Sequence, residues 1–268
     1  MARAFEAQDR QVLRIGGTDR RKFLQDLVTN NLDKICDGAV YAALLTPQGK
    51  YLADFFLTAD GDTILLDADA GQVEDLVRRL TMYKLRADVT IAPVRLKVVQ
   101  GWGDGPVPDG AVTDPRDPAL GWRVYTESPE TLLGAFDTAD PAEWHALRIA
   151  RGVPQSGVEL IPNDTFILEA GLERLNGVDF RKGCYVGQEV TARMRHKTEL
   201  RKGLVQVHIN GAPPPPGTPV EADGKPAGTL YSSADGIGLA HLRYDRAGGE
   251  MTAGEARLSW DGAGTTAG

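Results

Sequence analysis

The chain has 268 residues, 42% of them apolar and 25% charged, enough for a real buried core and for about two domains at roughly 150 residues each. A net charge of −7 excludes a global polycation that wraps nucleic acid. The two cysteines, Cys36 and Cys184, exclude a disulfide scaffold and any Cys-x-x-Cys zinc or redox motif, fit a reducing cytoplasm, and leave a lone thiol available as a reagent.

In chain order, Thr18 and Asp19 begin a helix whose face is Phe23, Leu24, Leu27 and Val28. Residues 40–46 read as a buried strand, Pro47-Gln48-Gly49-Lys50 as a turn, and 51–58 as the return strand of that hairpin. Asp60-Gly61-Asp62 turns into a strand at 63–67. Val73, Leu76, Val77, Leu80 and Tyr83 then give helical period over 72–85, before strand character returns at 89–91 and 94–99. This succession is an α+β pattern of helices on an antiparallel sheet. Residues 101–118, rich in Gly, Pro and Asp, mark a surface loop or domain seam, and 121–126 a strand. Asp140 caps a helix over 141–151, with Pro141 at its first position and Gly152 and Pro154 ending it; a second short helix is expected within 165–174. Beyond Lys202, short strands at 203–209, 219–221, 227–231, 236–242 and 256–260 suggest a small barrel or sandwich, with Pro213–Pro216 as a rigid hairpin loop and 261–268 as a frayed tail.

Routine motifs are absent. The first ten residues hold no apolar run of signal-peptide length, and no stretch reaches the ~18 apolar residues of a membrane helix. Gly49-Lys50 and Gly224-Lys225 lack the rest of a phosphate loop, and Pro106 stands where Gly101-Trp102-Gly103 would need a third glycine for a dinucleotide fingerprint. His145, His196, His208 and His241 show no metal-ligand spacing, so no bound metal is expected.

Residues 181–202 stand out. Seven Lys/Arg face two Glu, a local charge of +5 in an acidic chain, which marks either a solvated face or an anion site. Within the strip, Gly183 and Gly187 imply tight backbone around Cys184. Arg181 and Lys182 would favour its thiolate. Cys184 is therefore either a nucleophile or soft ligand, or a small buried apolar residue. Cys36 lacks basic neighbours on its C-terminal side and reads as structural or incidental.

Lys182-Gly183-Cys184-Tyr185-Val186-Gly187-Gln188-Glu189 matches the signature Lys-Gly-Cys-Tyr-x-Gly-Gln-Glu of the YgfZ family, folate-binding proteins related to the glycine-cleavage T-protein that assist iron–sulfur proteins. The resemblance extends to 23–30 as the family's first helix, 44–50 as its first hairpin and 83–86 as the end of its second helix, covering about residues 12–245. It implies an α+β ring of three lobes around a central folate-binding hole: a folate-binding lobe at 1–95, a middle lobe carrying the motif at 96–202, with the first two open to interleaving, and an antiparallel β-barrel at 203–268. Glu169, within Leu168-Glu169-Ala170-Gly171-Leu172, resembles the T-protein residue that hydrogen-bonds the pterin, as a carboxylate can accept two parallel N–H bonds. Asp54 falls where T-proteins carry the second of two adjacent aspartates, whereas Ala53 replaces the first. Arg201 matches a basic position suited to the folate glutamate tail, with Arg193 and Arg195 as weaker candidates.

The function so implied is a cytoplasmic tetrahydrofolate-binding accessory factor for assembly or repair of [4Fe–4S] enzymes, including tRNA-modifying radical enzymes. Its partners would be folate, client enzymes and cluster carriers, with neither membrane nor direct nucleic-acid binding. Cys184 would touch a cluster, a persulfide or a client thiol; one thiolate cannot hold a cluster alone, since clusters take four protein ligands. The competing reading is a folate-dependent aminomethyl or C1 transferase, against which stands Ala53. An RNA-binding module ranks last, because Tyr185 is the only aromatic in the basic strip.

Overall fold

In the computed structural model, residues 2–262 other than Thr198 are described; the tail expected at 261–268 lies outside them from residue 263 onward. In chain order the elements begin with β1 (Arg3–Glu6), β2 (Arg10–Gly16), α1 (Arg20–Leu27), β3 (Val40–Leu45), β4 (Tyr51–Asp60), β5 (Thr63–Asp69), α2 (Val73–Lys84), β6 (Thr90–Pro93) and β7 (Lys97–Trp102). They continue with β8 (Val112–Thr113), β9 (Trp122–Thr126), α3 (Pro129–Leu133), β10 (Asp137–Thr138), α4 (Pro141–Ala150) and α5 (Gln188–Lys197). The last six strands are β11 (Lys202–Asn210), β12 (Thr218–Ala222), β13 (Lys225–Ala234), β14 (Ile237–Arg243), β15 (Met251–Ala253) and β16 (Ala256–Ser259).

The first sheet runs β3-β4-β5-β2-β6 and is antiparallel throughout. Phe23, Leu24 and Leu27 of α1 and Leu76 and Leu80 of α2 cover one face, packing on Leu13, Ile15, Phe55, Leu57 and Leu66. The other face, with Tyr41, Tyr51 and Phe56, is covered too, by Leu160, Ile167, Leu172 and Leu175. Burial on both faces is why β3 and β4 read as continuous apolar runs rather than as alternation.

A second sheet, β10-β1-β7-β9-β8, packs against it through Phe5 and Val98 on Val12 and Leu65. Because β1 belongs to this sheet and β2 to the first, the first sixteen residues stitch the two together. Neither β1 nor β2 is foreseen in the sequence reading. Asp140 caps α4 as expected, in a full capping box with Glu143.

The short helix expected within 165–174 is not formed. Isolated turns close there instead, Ala170 N donating to Phe166 O (3.2 Å) and Leu172 N to Ile167 O (3.0 Å). Gly171 at φ +76° and Asn176 at φ +54° take left-handed backbone, which interrupts any helical ladder. α5, which no periodicity announces, starts directly after Gly187.

The last six strands close into a barrel, β11-β14-β13-β12-β15-β16, with β16 pairing back to β11. Since β11 and β12 are not neighbours, Pro213–Pro216 spans between non-adjacent strands and is not the hairpin loop expected. The barrel sits on α4: Gln206 Nε2 donates to Ile149 O (2.9 Å), and Ile149 packs with Leu204 and Leu239.

Gly187 holds α5 to the first sheet. It has φ +83°, and a Cβ there would lie 2.6 Å from Thr46 O and 3.1 Å from Gly49 Cα. The tight backbone expected around Cys184 is thus real at Gly187 but not at Gly183, where a Cβ meets nothing within 4 Å. Gly187→Ala is therefore expected to lose on the order of 1–3 kcal/mol or more in urea unfolding, and Gly183→Ala less than about 0.5 kcal/mol.

Candidate functional site

A cavity of about 620 Å³ opens between the two sheets, α4 and the loop that follows it. Asp54 reaches it through a β-bulge: Leu44 pairs with Ala53 but Leu45 with Tyr51, so Leu52 is the extra residue. That extra residue puts Tyr51 and Asp54, three apart, on one face, as bulges beside functional sites commonly do. Asp54 is 2% exposed and accepts three hydroxyl hydrogen bonds, from Tyr41 (3.0 Å), Tyr51 (2.6 Å) and Ser156 (2.6 Å). Burial and the Asp54 charge push both tyrosines well above their usual range, so they donate as neutral phenols. Ala53 points the other way, into the apolar core under the helices.

Beneath the cavity runs an alternating chain of buried charges. Arg10 Nε donates to Asp67 Oδ1 (2.7 Å), Arg123 Nη1 to Asp67 Oδ2 (2.6 Å), and Arg123 Nη2 to Asp114 Oδ2 (2.9 Å). Arg116 closes the chain on Asp114 through Nε (3.0 Å) and Nη2 (2.8 Å). Burial pushes the Asp114 carboxyl up, but Arg116 and Arg123 together hold it well below the usual carboxylate range. Phe56 lies under this chain, 3.4 Å from the Arg123 guanidinium and 4.7 Å from that of Arg116. None of these residues figures in the sequence reading. The available signal was a charge at an inward position of an otherwise apolar strand, Asp67 in β5 and Arg123 in β9.

The motif residues gather elsewhere. Lys182 is buried and its ammonium donates to Gln25 O (2.7 Å), Val28 O (2.5 Å) and Asn30 O (2.9 Å), capping the C-terminal end of α1. Burial lowers its pKa to about 8. Its charge is therefore spent on that helix end, not aimed at the thiol as the sequence suggested. Tyr185 is also buried, with its hydroxyl pushed up to about 12 by burial. Between these two anchors Gly183 and Cys184 are exposed, which removes the buried-apolar alternative for Cys184. Gln188 opens α5, and the exposed Glu189 pairs with Arg193 (2.9 Å). Cys36 is exposed as well, at the end of a 3-10 turn at Leu32–Cys36.

The other expected ligand residues do not join Asp54. Glu169 is not among the residues lining the cavity; its carboxylate faces Lys202 (3.3 Å) and His241 (3.4 Å) at the barrel junction. Arg201 is exposed just before β11 and holds Tyr244 N through its own carbonyl (2.8 Å). Arg195 pairs with Glu173 (2.7 Å) and stacks on Phe180 (4.1 Å). Much of the +5 strip is thus neutralised locally or buried.

The iron–sulfur cluster assembly factor IBA57, mitochondrial, of Mus musculus is 31% identical to this chain over 283 residues, covering 92% of this chain and 79% of its own. An IBA57 homolog from Mycosarcoma maydis is 32% identical over 293 residues, covering 88% and 72%. The chain belongs to the IBA57 family. These relatives are of the YgfZ-like group to which the motif at 182–189 pointed. The family model described as the CAF17 C-terminal beta-barrel domain matches residues 201–263. The crystal structure of the glycine cleavage system aminomethyltransferase T from Bartonella henselae superposes with a TM-score of 0.79 at 16% identity, covering 96% of this chain and 84% of that one. The IBA57 family member described here therefore has the T-protein fold, α+β with a closed C-terminal barrel, as the resemblance implied.

Two outcomes follow for this IBA57-family chain. Asp114→Asn leaves Arg116 and Arg123 short of a buried counter-charge and is expected to cost about 3–5 kcal/mol in urea unfolding. For Glu169, burial pushes the carboxyl up, but His241 and Lys202 pull it below its ordinary value of 4.5. The unfolded state then binds the proton more readily, so this stabilisation is complete above about pH 4.5 and is lost as pH falls through the lower folded value. Glu169→Gln is expected to flatten that part of the acid limb in a stability-against-pH series.

Proposed function

We propose that this protein is an accessory factor for the assembly or repair of iron–sulfur proteins, binding tetrahydrofolate in its central cavity and presenting Cys184 to partners. The observation that carries the reading is the presentation of the thiol in a chain of the IBA57 family. Lys182 and Tyr185, 7% and 6% exposed, pin the backbone on either side, and the open space beside Gly183 lets a bulky partner approach. A cluster passing over Cys184 would take its remaining ligands from that partner, since one thiolate supplies one of four. [4Fe–4S] enzymes, tRNA-modifying radical enzymes among them, are the clients this reading names. Cytoplasmic residence belongs to the same proposal, because two exposed unpaired thiols suit a reducing compartment.

Support for folate comes from the cavity. Its volume of about 620 Å³ falls within the roughly 300–1,000 Å³ of small-molecule sites, and Phe5, Phe56 and Trp144 offer flat apolar wall. The transferase alternative is not favoured. Asp54 already accepts from three protein hydroxyls, and position 53, where T-proteins carry the first aspartate, lies in apolar core.

The expected result is that tetrahydrofolate binds in calorimetric titration while no methylene transfer from an aminomethyl donor turns over. In cells lacking the protein, Cys36→Ala should restore an iron–sulfur enzyme and Cys184→Ala should not. Robust turnover, or equal rescue by the two variants, would overturn the proposal.

A further inference from the structure

Among the described residues, five buried polar side chains line the cavity: Asp54, Gln100, Arg116, Arg148 and Ser156. Three are already engaged with protein. Asp54 and Ser156 bond each other, and Arg148 donates to Val153 O (3.0 Å) and Ser232 Oγ (2.7 Å) while facing Glu159. Arg116 gives Nε and Nη2 to Asp114, which leaves its Nη1 end open. Gln100 is the exception of the set. It is 5% exposed, and its side-chain amide has no hydrogen-bond partner among the described residues.

The register of the second sheet shows where that amide faces. Gln100 in β7 lies directly opposite Phe5 of β1 and Arg123 of β9, so the three share the cavity face of the sheet. Phe5 offers nothing polar; Arg123 has committed Nη1 and Nη2 to Asp67 and Asp114, and its buried Nε, itself without a partner, makes no bond to Gln100. The Gln100 amide is not among the fully enclosed orphan atoms of the structure, so what accessible surface it keeps opens on the cavity, where a ligand can supply the partner that the protein does not. On the same cavity lining the Arg116 guanidinium lies against the Phe56 ring at 4.7 Å and the Trp144 ring at 5.9 Å, forming a flat wall.

We infer that Gln100 is the specificity-determining residue of the cavity, reading with Arg116 the lactam edge of a planar heterocycle. A primary amide presents one acceptor and one donor side by side, the complement of an adjacent N–H and C=O. The open guanidinium end donates to the same carbonyl, and the aromatic wall carries the ring. The aminopyrimidinone edge of a reduced pterin has this chemistry. The inference deepens the folate reading of the cavity and rests on it.

The test uses the full chain, with tetrahydrofolate, tail-free 6-methyltetrahydropterin and a 2,4-diaminopteridine in which an amino group replaces the lactam oxygen, measured by calorimetry. Wild type should bind the two lactam probes at least tenfold more tightly than the diamino probe. Gln100→Leu should weaken the lactam probes at least tenfold and erase that preference, with the melting temperature of the ligand-free protein unchanged or raised. Gln100→Glu, which only accepts, should shift preference toward the diamino probe. Equal lactam binding by wild type and Gln100→Leu would overturn the inference while leaving folate binding in place. A lower ligand-free melting temperature in Gln100→Leu would assign the amide a structural role and overturn it as well. Failure of wild type to bind any of the three would remove the folate reading together with this one.

Discussion

The buried chain Arg10–Asp67–Arg123–Asp114–Arg116 is the contact on which the rest of the architecture depends. Asp67 and Arg10 belong to the first sheet, Arg123 to the second, and Asp114 and Arg116 to the loop that follows β8. Apolar packing of Phe5 and Val98 on Val12 and Leu65 would tolerate sliding of one sheet over the other. Arg123 would not, because it reaches both carboxylates only when β9 lies over β5. A buried ion chain adds little net stability over apolar side chains of similar volume, whereas breaking one is costly. Its contribution is therefore to register, and register sets the cavity, whose lining includes Arg116 of the chain itself and Gln100 of the sheet that the chain fixes.

The eight-residue motif divides by the same physical logic. Lys182, Tyr185 and Gly187 are architecture, a helix cap, a buried ring and a backbone contact on the first hairpin. Gly183 and Cys184 are what that architecture holds out. A thiol on a loose loop would sample many directions and lose entropy on each encounter. Here the two residues are fixed at both ends, so the thiol is held at a defined place beside open space.

Legibility in the sequence followed how local each feature is. The amphipathic faces of α1 and α2, the first hairpin and the Asp140 cap rest on neighbours within a few positions and match the structure, except that Tyr83, read as part of the α2 face, is exposed. β1 spans only four residues and exists because the distant strands β7 and β10 pair with it, and β15 has only three residues to show alternation. The segment at 165–174 has helical composition, but Gly171 and Asn176 turn it away, and its apolar residues gain more by lying against Tyr41 and Phe56 than by forming a helix. Cys184 stood out through the motif and Asp54 through the T-protein resemblance, whereas Gln100 could not. A lone glutamine in Lys-Val-Val-Gln-Gly-Trp carries no signal until the register places it on a cavity wall.

The segment from 151 to 187 joins these parts. It contains Ser156 at the cavity, Glu169 at the barrel and Cys184 at the surface, yet among the described residues it forms no regular helix or strand. Irregular backbone is normally found on the surface, where water satisfies it. This stretch is instead packed, with Val153, Leu160, Ile167, Leu172 and Leu175 at most 1% exposed, and its own turns satisfy much of its backbone. Glu159 fixes its start, accepting from Gln155 N (2.9 Å) on one side and Ser232 N (3.2 Å) of the barrel on the other. Its rigidity thus comes from burial rather than from a ladder. Cavity, barrel and thiol are held in one frame by side-chain packing, so a change that loosens this packing moves all three together.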